Sequence, residues 1–267
     1  MKHMTLKAIA AACGGTYYGP AENLETVVSG IAIDSRKIET NWLFAATVGE
    51  RVDGHSFIES CYEKGALCCL GEKEYAYNGH SYIQVTSTFQ ALKDIAEYYR
   101  STLEIPVVGI TGSVGKTSTK EMIASVLGVK FNTLKTAGNF NNEVGLPLTV
   151  FNIREEHEAA VLEMGISDFG EMHRLSKVAR PNICVITNIG FCHLEFLGDR
   201  DGVLRAKSEI FDFAADGAKA IVNGDDDKLR TLNSREDLNV TLFGMDEFND
   251  ELSMSSKIIE NYVAEKV

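Results

Sequence analysis

Several features that would assign this protein to other classes are missing from its sequence. Lysine and arginine together number 26 against 38 aspartate and glutamate residues, so the formal net charge at pH 7 is −12. Nucleic acids and anionic membranes bind basic surfaces, so this deficit argues against both as partners and against a helicase or translocase. The sequence also lacks any apolar run near the ~20 residues needed to cross a bilayer, and we expect no membrane insertion.

The cysteines form no Cys-x-x-Cys pair. All six are scattered, mostly within apolar runs: Cys13, Cys61, Cys68, Cys69, Cys184 and Cys192. This distribution is typical of buried free thiols in a reducing cytosol, whereas a disulfide framework suits a much smaller secreted chain. The first 13 residues loosely resemble a lipoprotein signal, but Lys7 interrupts an apolar segment that is too short for a signal-peptide core. We therefore expect a cytoplasmic protein.

What the sequence does contain is a strand, a glycine turn and a helix in direct succession. Residues 107–110 form a short apolar run suited to a buried parallel strand. A turn of small residues follows at 111–115, and Lys116 begins a helix whose apolar side chains fall on one face. This succession is typical of a loop that binds phosphate groups.

The chemistry of the turn supports that interpretation. Gly112 and Gly115 let backbone N–H groups close around phosphate oxygens, and a helix N-terminus favours negative charge. Lys116 can reach the β- and γ-phosphates, and the Thr117 hydroxyl can hold Mg²⁺. The general form of the loop has a glycine where Ile110 stands, but the flanking strand and helix favour a phosphate loop over an accidental Gly-Lys-Thr. We predict that this site binds a nucleoside triphosphate.

The pattern of apolar residues predicts an α/β fold with two domains and no Pro/Gly/Ser-rich linker. Residues 1–84 are predicted to form a small α/β domain, and residues 85–267 a central domain with alternating strands and helices. Strands are expected at 31–33, 42–46, 66–70, 82–85, 107–110, 159–163, 182–189 and 219–223, and helices after Thr5, at 57–65, at 87–99, from Lys116, at 169–178 and at 199–213. Such alternation implies a mostly parallel sheet covered on both faces, whose ligands bind beyond the carboxyl ends of the strands.

Polar residues follow three of the predicted strands of the central domain. Glu163 ends one strand, and there we favour a hard oxygen ligand for Mg²⁺ over a carboxylate left in solvent. His193 follows the next strand and, taken alone, is more often structural than metal-bound. The acidic run 225–227 would by itself be a solvated turn with a helix N-cap. Lys207 is by default a surface lysine.

Two polar loops in the first domain have open interpretations. Asp34, Ser35 and Arg36 follow a predicted strand, and a second polar loop at 49–55 leads into the next helix. Taken alone, both are more simply solvated turns in which Ser35 and His55 cap helices.

With these residues in place, the chain resembles the Mur ligase family, the ATP-dependent amide-forming enzymes of peptidoglycan synthesis. Residues 111–117 have the Thr-Gly-x-x-Gly-Lys-Thr form of that family's phosphate loop, which also accounts for the missing glycine. The Asp34-Ser-Arg and Asp53-Gly-His runs resemble its nucleotide-sugar-binding N-terminal domain. Residues 136–149, 193–198 and 206–211 resemble the members that add D-alanyl-D-alanine. The similarity covers essentially the whole chain.

The resemblance implies roles for the matching residues. The ATP-binding residues would be Thr111, Gly112, Ser113, Val114, Gly115, Lys116, Thr117, Ser118, Asn142, Asn223 and Asp226. Thr117 and Glu163 would hold a first Mg²⁺, while His193 and a carbamylated Lys207 would hold a second. The UDP end of the substrate would contact Ser35, Arg36, Asp53 and His55. The catalytic residues would be Lys116, His193 and Lys207.

The implied activity is ATP-dependent joining of D-alanyl-D-alanine to UDP-N-acetylmuramoyl-tripeptide through an acyl phosphate. Two alternatives stay open: the family member that adds the third residue of the stem peptide, and a non-catalytic nucleotide-binding module. Family members continue into a C-terminal domain that brings the amine substrate and closes over ATP. The chain is therefore expected to be an N-terminal and central fragment that turns over little alone, and to be monomeric.

Overall fold

The computed structural model of the protein describes residues 1, 3–76 and 78–245. Within these residues the chain forms two compact units. The first comprises Met1–Leu103 together with Val150–Glu155, and the second comprises Glu104–Thr149 together with the described residues from 156 onward. The predicted domain boundary between residues 84 and 85 stays a prediction, and the helix Thr88–Ser101 lies within the first unit.

The first unit is built on a five-stranded sheet with strand order β1-β5-β4-β3-β2. Its elements are α1 (Leu6–Ala12), β1 (Thr16–Tyr18), β2 (Gly30–Ala32), β3 (Trp42–Ala45), α2 (Ile58–Glu63), β4 (Cys68–Gly71), β5 (Ser81–Gln84) and α3 (Thr88–Ser101). Only the β1–β5 pair is antiparallel. As predicted, α1 begins after Thr5, whose hydroxyl accepts a hydrogen bond from the Ala8 amide, and Gly65 follows α2 with φ of +93°.

The second unit is built on a six-stranded sheet with strand order β11-β10-β9-β6-β8-β7. Its elements are β6 (Val107–Thr111), α4 (Lys116–Leu127), β7 (Thr133–Lys135), α5 (Gly145–Val150), β8 (Ala159–Glu163), α6 (Glu171–Ala179), β9 (Ile183–Ile186), α7 (Leu194–Leu197), α8 (Arg200–Ser208), β10 (Lys219–Asn223), α9 (Asp227–Arg230) and β11 (Asn239–Phe243). Every pairing between neighbouring strands is parallel. The expectation of an α/β fold with a mostly parallel central sheet is confirmed.

Some elements differ from the sequence-based expectation. Strand β7 and helix α5 were not predicted, because they have only three and six residues. Strand β11 was also missed, although its residues 239–242 alternate polar and apolar side chains. The predicted helix 199–213 ends earlier as α8, and a 3₁₀ turn at Glu209–Phe211 follows it. Strand β9 ends at Ile186 rather than at residue 189, since the following residues turn back toward the phosphate loop.

The register of the second sheet brings the ends of its strands to one edge. Ile110 pairs with Glu163 across β6 and β8, and Thr111 pairs with Ile186 across β6 and β9. Strand β6 is buried along its whole length, as is β8. Because parallel strands share one carboxyl edge, the loops that follow β6, β8, β9 and β10 all begin there.

All six cysteines are unbonded, and four of them are buried. In the part of the chain that the structure describes, none of the helices combines the length and the apolar character required to span a bilayer.

The β8 core provides a direct test of this fold. Val161 is fully buried among the apolar residues that join β6, β8 and α4, whereas Val129 is 88% exposed. Replacing Val161 by alanine removes two buried methylene equivalents and leaves a cavity, so we expect the free energy of unfolding in urea to fall by about 2 kcal/mol. The same substitution at Val129 is the matched control and should cost less than about 0.5 kcal/mol. Equal losses at the two positions would contradict the placement of β8.

Candidate active site

The turn after β6 has a backbone that only glycine accommodates. Gly112 has φ of +145°, and a Cβ built there would lie 1.9 Å from the Thr187 hydroxyl oxygen. Gly115 adopts the left-handed conformation, with φ of +83°, immediately before α4. Among the residues that the structure describes, no side chain caps the N-terminus of α4. The amides of its first turn are therefore available to an anion, and the helix dipole favours negative charge there.

Residues after β9 hold the turn in this shape. The Asn188 side-chain oxygen accepts hydrogen bonds from the Ser113 amide at 3.1 Å and the Val114 amide at 2.9 Å. Thr187 donates its hydroxyl to the Val114 carbonyl at 2.6 Å, and the Gly190 amide donates to the Ser113 hydroxyl at 2.8 Å. Neither Thr187 nor Asn188 was singled out from the sequence. The strand predicted at 182–189 included both residues, so no local signal set them apart; the strand in fact ends at Ile186.

The lysine of the loop lies against the loop itself. The Lys116 ammonium donates to the Gly112 carbonyl at 2.8 Å and to the Ser113 carbonyl at 3.3 Å. Its charge is therefore held beside the same turn whose first helical amides are uncapped. Cation and amides together form a local positive site in a protein of net charge −12.

At the next residue of α4, a hydroxyl meets a carboxylate. Thr117 donates to the two carboxylate oxygens of Glu163 at 3.2 and 3.0 Å. Glu163 is only 2% exposed, so the alternative of a carboxylate left in solvent is wrong. The Asn141 side-chain amide donates to a carboxylate oxygen of Glu163 at 2.8 Å, and the Lys120 ammonium lies 3.7 Å from the other carboxylate oxygen. Neither Asn141 nor Lys120 was identified from the sequence, although Lys120 shares a face of α4 with Lys116.

The two predicted ligands of the second metal ion lie in different environments. His193 is exposed and has a left-handed backbone, with φ of +53°, at the start of α7. Lys207 is 1% exposed, so the default of a surface lysine is wrong. Burial lowers the Lys207 pKa to about 8, with the nearby Lys116 charge acting in the same direction and Cys192 opposing it. A lysine with a lowered pKa has more neutral amine at neutral pH than a surface lysine has.

Three other predicted nucleotide contacts are engaged in ordering loops. The Asn142 side-chain oxygen accepts from the Gly145 amide at 2.8 Å, at the start of α5. Asp226 caps α9 through one carboxylate oxygen and accepts from the Ile189 amide at 2.7 Å through the other. Asn223 accepts from the Asp225 amide at 2.9 Å. Contacts of Asn142, Asn223 and Asp226 with ATP stay predictions.

The predicted substrate residues of the first unit also have partners within that unit. Arg36 forms two hydrogen bonds with Asp34, and this pairing holds the Asp34 pKa well below its usual value. Lys73 and then His55 lower the Asp53 pKa in the same way.

The turns at these positions are capped by aspartate. The carboxylates of Asp34 and Asp53 accept from backbone amides two residues later. The expectation that Ser35 and His55 are the caps is therefore wrong. The His55 ring accepts from the Glu72 amide at 2.9 Å on its other side. Substrate contacts by Ser35, Arg36, Asp53 and His55 stay predictions.

The donor set of the second unit fits a triphosphate and a hard cation. The Thr111 hydroxyl, at the end of β6, is buried and has no hydrogen-bond partner among the described residues. The Thr117 hydroxyl and the Glu163 carboxylate are oxygen donors of the kind that Mg²⁺ prefers. No group of three or more His, Cys, Asp or Glu side chains in the described residues could bind a metal by itself. A cation there would share its coordination with hydroxyl and phosphate oxygens.

Comparisons with known proteins agree with this arrangement. The model of the Mur ligase middle domain matches residues 110–267, and the model of the Mur ligase family catalytic domain matches residues 27–108. A UDP-N-acetylmuramoyl-tripeptide–D-alanyl-D-alanine ligase of Bacillus subtilis (strain 168) is 44% identical over 232 residues, which cover 86% of this chain and 50% of that protein. The Escherichia coli (strain K12) protein of the same name is 35% identical, over 78% of this chain and 46% of that protein.

Solved structures show the same similarity. A crystal structure of MurF from Acinetobacter baumannii matches with a TM-score of 0.81 at 34% identity, covering 90% of this chain and 53% of that one. MurF ligase from Thermotoga maritima, solved in complex with ADP, matches with a TM-score of 0.74 at 34% identity, over 81% of this chain and 50% of that one. The chain thus spans about half the length of the curated relatives that it matches. From its strand–loop–helix site, its parallel sheet and these matches, we conclude that the chain belongs to the Mur ligase family.

Proposed function

We propose that this chain carries the ATP-binding and UDP-substrate-binding machinery of a ligase that joins D-alanyl-D-alanine to UDP-N-acetylmuramoyl-tripeptide. The observation that carries the proposal is the contact between Thr117 and Glu163 at 3.0 Å beside the Lys116 loop. It brings together a phosphate-binding turn and a hard-oxygen pair at the carboxyl edge of a parallel sheet. The curated relatives that bear this name match both units of the chain.

The proposed reaction has two steps. A carboxylate oxygen of the tripeptide attacks the γ-phosphorus of ATP, the bond to the bridging oxygen breaks, and ADP leaves with that oxygen. The amine of D-alanyl-D-alanine then attacks the acyl carbon of the resulting acyl phosphate. Phosphate leaves, and the nitrogen loses a proton to give the amide. Catalysis of the first step depends on positioning and charge neutralisation rather than on covalent chemistry by the protein.

The residues of the second unit have distinct parts in this proposal. The amides of the 111–118 loop and the Lys116 ammonium bind the phosphate oxygens and neutralise their charge. Thr117 and Glu163 would hold one Mg²⁺, and His193 with a carbamylated Lys207 would hold a second. The cations would neutralise further charge on the transferred phosphoryl group.

The first unit is proposed to bind the UDP end of the substrate through Ser35, Arg36, Asp53 and His55. Arg36 is exposed, and its guanidinium donates two hydrogen bonds to the two oxygens of the Asp34 carboxylate. Exchange of that carboxylate for a diphosphate is the chemistry expected of a bidentate arginine. The six unbonded cysteines support a location in the reducing cytoplasm.

Replacement of Lys116 by alanine tests the nucleotide site. The substitution removes a charge-assisted contact to phosphate, so we expect the dissociation constant of Mg·ADP, measured by calorimetry, to rise about 10-fold or more. Lys130→Ala, at an exposed lysine beyond the end of the same helix, is the matched control and should leave the constant within about twofold. Unchanged affinity in Lys116→Ala would refute the proposed site.

Binding of UDP-N-acetylmuramoyl peptides separates this function from its alternatives. A dipeptide ends one residue earlier, so its carboxylate falls about 3.5 Å short of the position reached by that of a tripeptide. We expect calorimetry with a non-hydrolysable Mg·ATP analogue present to show about 10-fold tighter binding of the tripeptide form. Preference for the dipeptide form would indicate the family member that adds the third residue. Binding of nucleotide with neither peptide form bound would indicate a non-catalytic module.

The proposed carbamate on Lys207 is directly observable. Reaction of the neutral amine with CO₂ forms an N–C bond and releases one proton, which gives an anionic oxygen ligand in place of a cation. We expect a ¹³C carbamate resonance when the protein is kept in ¹³C-labelled bicarbonate, and loss of that resonance in Lys207→Arg. Lys130→Arg should retain it. Persistence of the signal in Lys207→Arg would place the modification elsewhere.

A further inference from the structure

A lysine that the proposed function does not use lies directly behind the metal end of the site. The Lys120 side chain is 2% exposed, and its ammonium is 3.7 Å from a carboxylate oxygen of Glu163, whose side chain is 3% exposed. Lys120 lies one helical turn after Lys116 on α4. The two lysines have different partners: the Lys116 ammonium donates to carbonyl groups of the phosphate loop, whereas the Lys120 ammonium faces the Glu163 carboxylate.

A hydrogen bond of Lys120 also ties it to the residue that follows β7. Its ammonium donates to the Thr136 carbonyl at 2.8 Å and lies 3.2 Å from a carboxylate oxygen of Glu121. The hydroxyl of the same Thr136 accepts from the Glu163 amide at 2.9 Å. Thr136 therefore links the Lys120 ammonium to the backbone of Glu163, and it begins the segment that carries Asn141.

The Glu163 carboxylate is contacted from three directions within the second unit. Thr117 donates from the first turn of α4, Asn141 donates from the loop after β7, and Lys120 supplies the positive charge. A buried ion pair is favourable only when its remaining hydrogen-bonding capacity is satisfied, and here both partners meet that condition. Loss of one partner would leave the other as an uncompensated buried charge.

Packing alone does not account for a charged residue at this place. A methionine would fill a similar volume on α4 without the cost of removing an ammonium group from water. Of the two carboxylates beside Lys120, Glu121 is 46% exposed and Glu163 is 3% exposed, so the buried Glu163 is the one that needs a compensating charge. Glu163 also accepts hydrogen bonds from Thr117 of the phosphate loop.

We propose that Lys120 is a positioning residue for the first metal ion, because it holds Glu163 and, through Thr136, the Asn141 segment in the arrangement that accepts Mg²⁺ beside Thr117. The inference rests on the proposed function, since it requires that Thr117 and Glu163 hold the cation. Residues that orient a metal ligand from behind typically contribute 10- to 100-fold to metal affinity. An opposite effect is expected if Lys120 acts only as a nearby positive charge, because its removal would then strengthen cation binding.

The test measures how strongly Mg²⁺ and nucleotide binding are coupled. The dissociation constant of ADP is determined by calorimetry for the whole chain with excess MgCl₂ and with EDTA, and the ratio of the two constants is the coupling. In Lys120→Gln, which keeps a donor for the Thr136 carbonyl but not the charge, we expect the coupling to fall about 10-fold. The affinity for ADP in EDTA should stay within about twofold of the parent.

Two further variants provide the controls. The Glu121 side chain, which is 46% exposed, is the other carboxylate beside Lys120. Glu121→Gln removes its charge and should leave the coupling within about twofold of the parent. Lys120→Arg keeps a cation beside Glu163 and should therefore retain most of the coupling. It also serves as the second variant if Lys120→Gln does not fold. Thermal unfolding of each variant shows that the comparison is made between folded proteins.

The possible outcomes are distinguishable. Absence of ADP binding by the parent chain would overturn the proposed function and this inference with it. If the parent shows coupling and Lys120→Gln shows equal or stronger coupling, the role of Lys120 is overturned but the proposed function is not. Loss of coupling in folded Lys120→Arg as large as that in Lys120→Gln would also contradict the proposal, because charge at this position would then not matter.

Discussion

The contact between Thr117 and Glu163 is the interaction on which the site depends. It joins the first turn of α4 to the end of β8 across the paired strands β6 and β8. A carboxylate that is 2% exposed is costly unless its oxygens are bonded, and here a hydroxyl, an amide and an ammonium surround it. Removal of any of these groups would disturb the same corner of the sheet.

The phosphate loop is held from the opposite side by equally local means. Asn188 and Thr187 bind the backbone of Ser113 and Val114, so the shape of the loop is fixed by the residues that follow β9. The loop is therefore ordered by residues that follow β9, and the carboxylate at the end of β8 by residues of α4 and of the loop after β7. In the proposed reaction such prior ordering would favour phosphoryl transfer, because the groups that neutralise charge need not rearrange as the reaction proceeds.

Much of the site lay in one short stretch of sequence. An apolar run, a glycine turn and Gly-Lys-Thr specify strand, turn and helix through local preferences alone, and Glu163 could be identified because it ends an apolar strand. Residues whose importance comes from a distant partner were missed. Asn141, Thr187 and Asn188 carry no local signal, since each contacts a residue that is 22 or more positions away along the chain.

By itself, the sequence determined the α/β class, the parallel sheet, the phosphate loop and the family resemblance, because these follow from hydrophobic period, turn chemistry and motif spacing. Only the tertiary structure decided which charged side chains are buried. Lys207 and Lys120 lie on helices where a lysine is ordinarily solvated, yet both are 1% exposed. Helical periodicity predicts a face but not what covers it. Burial is thus a property of the assembled fold rather than of the local sequence.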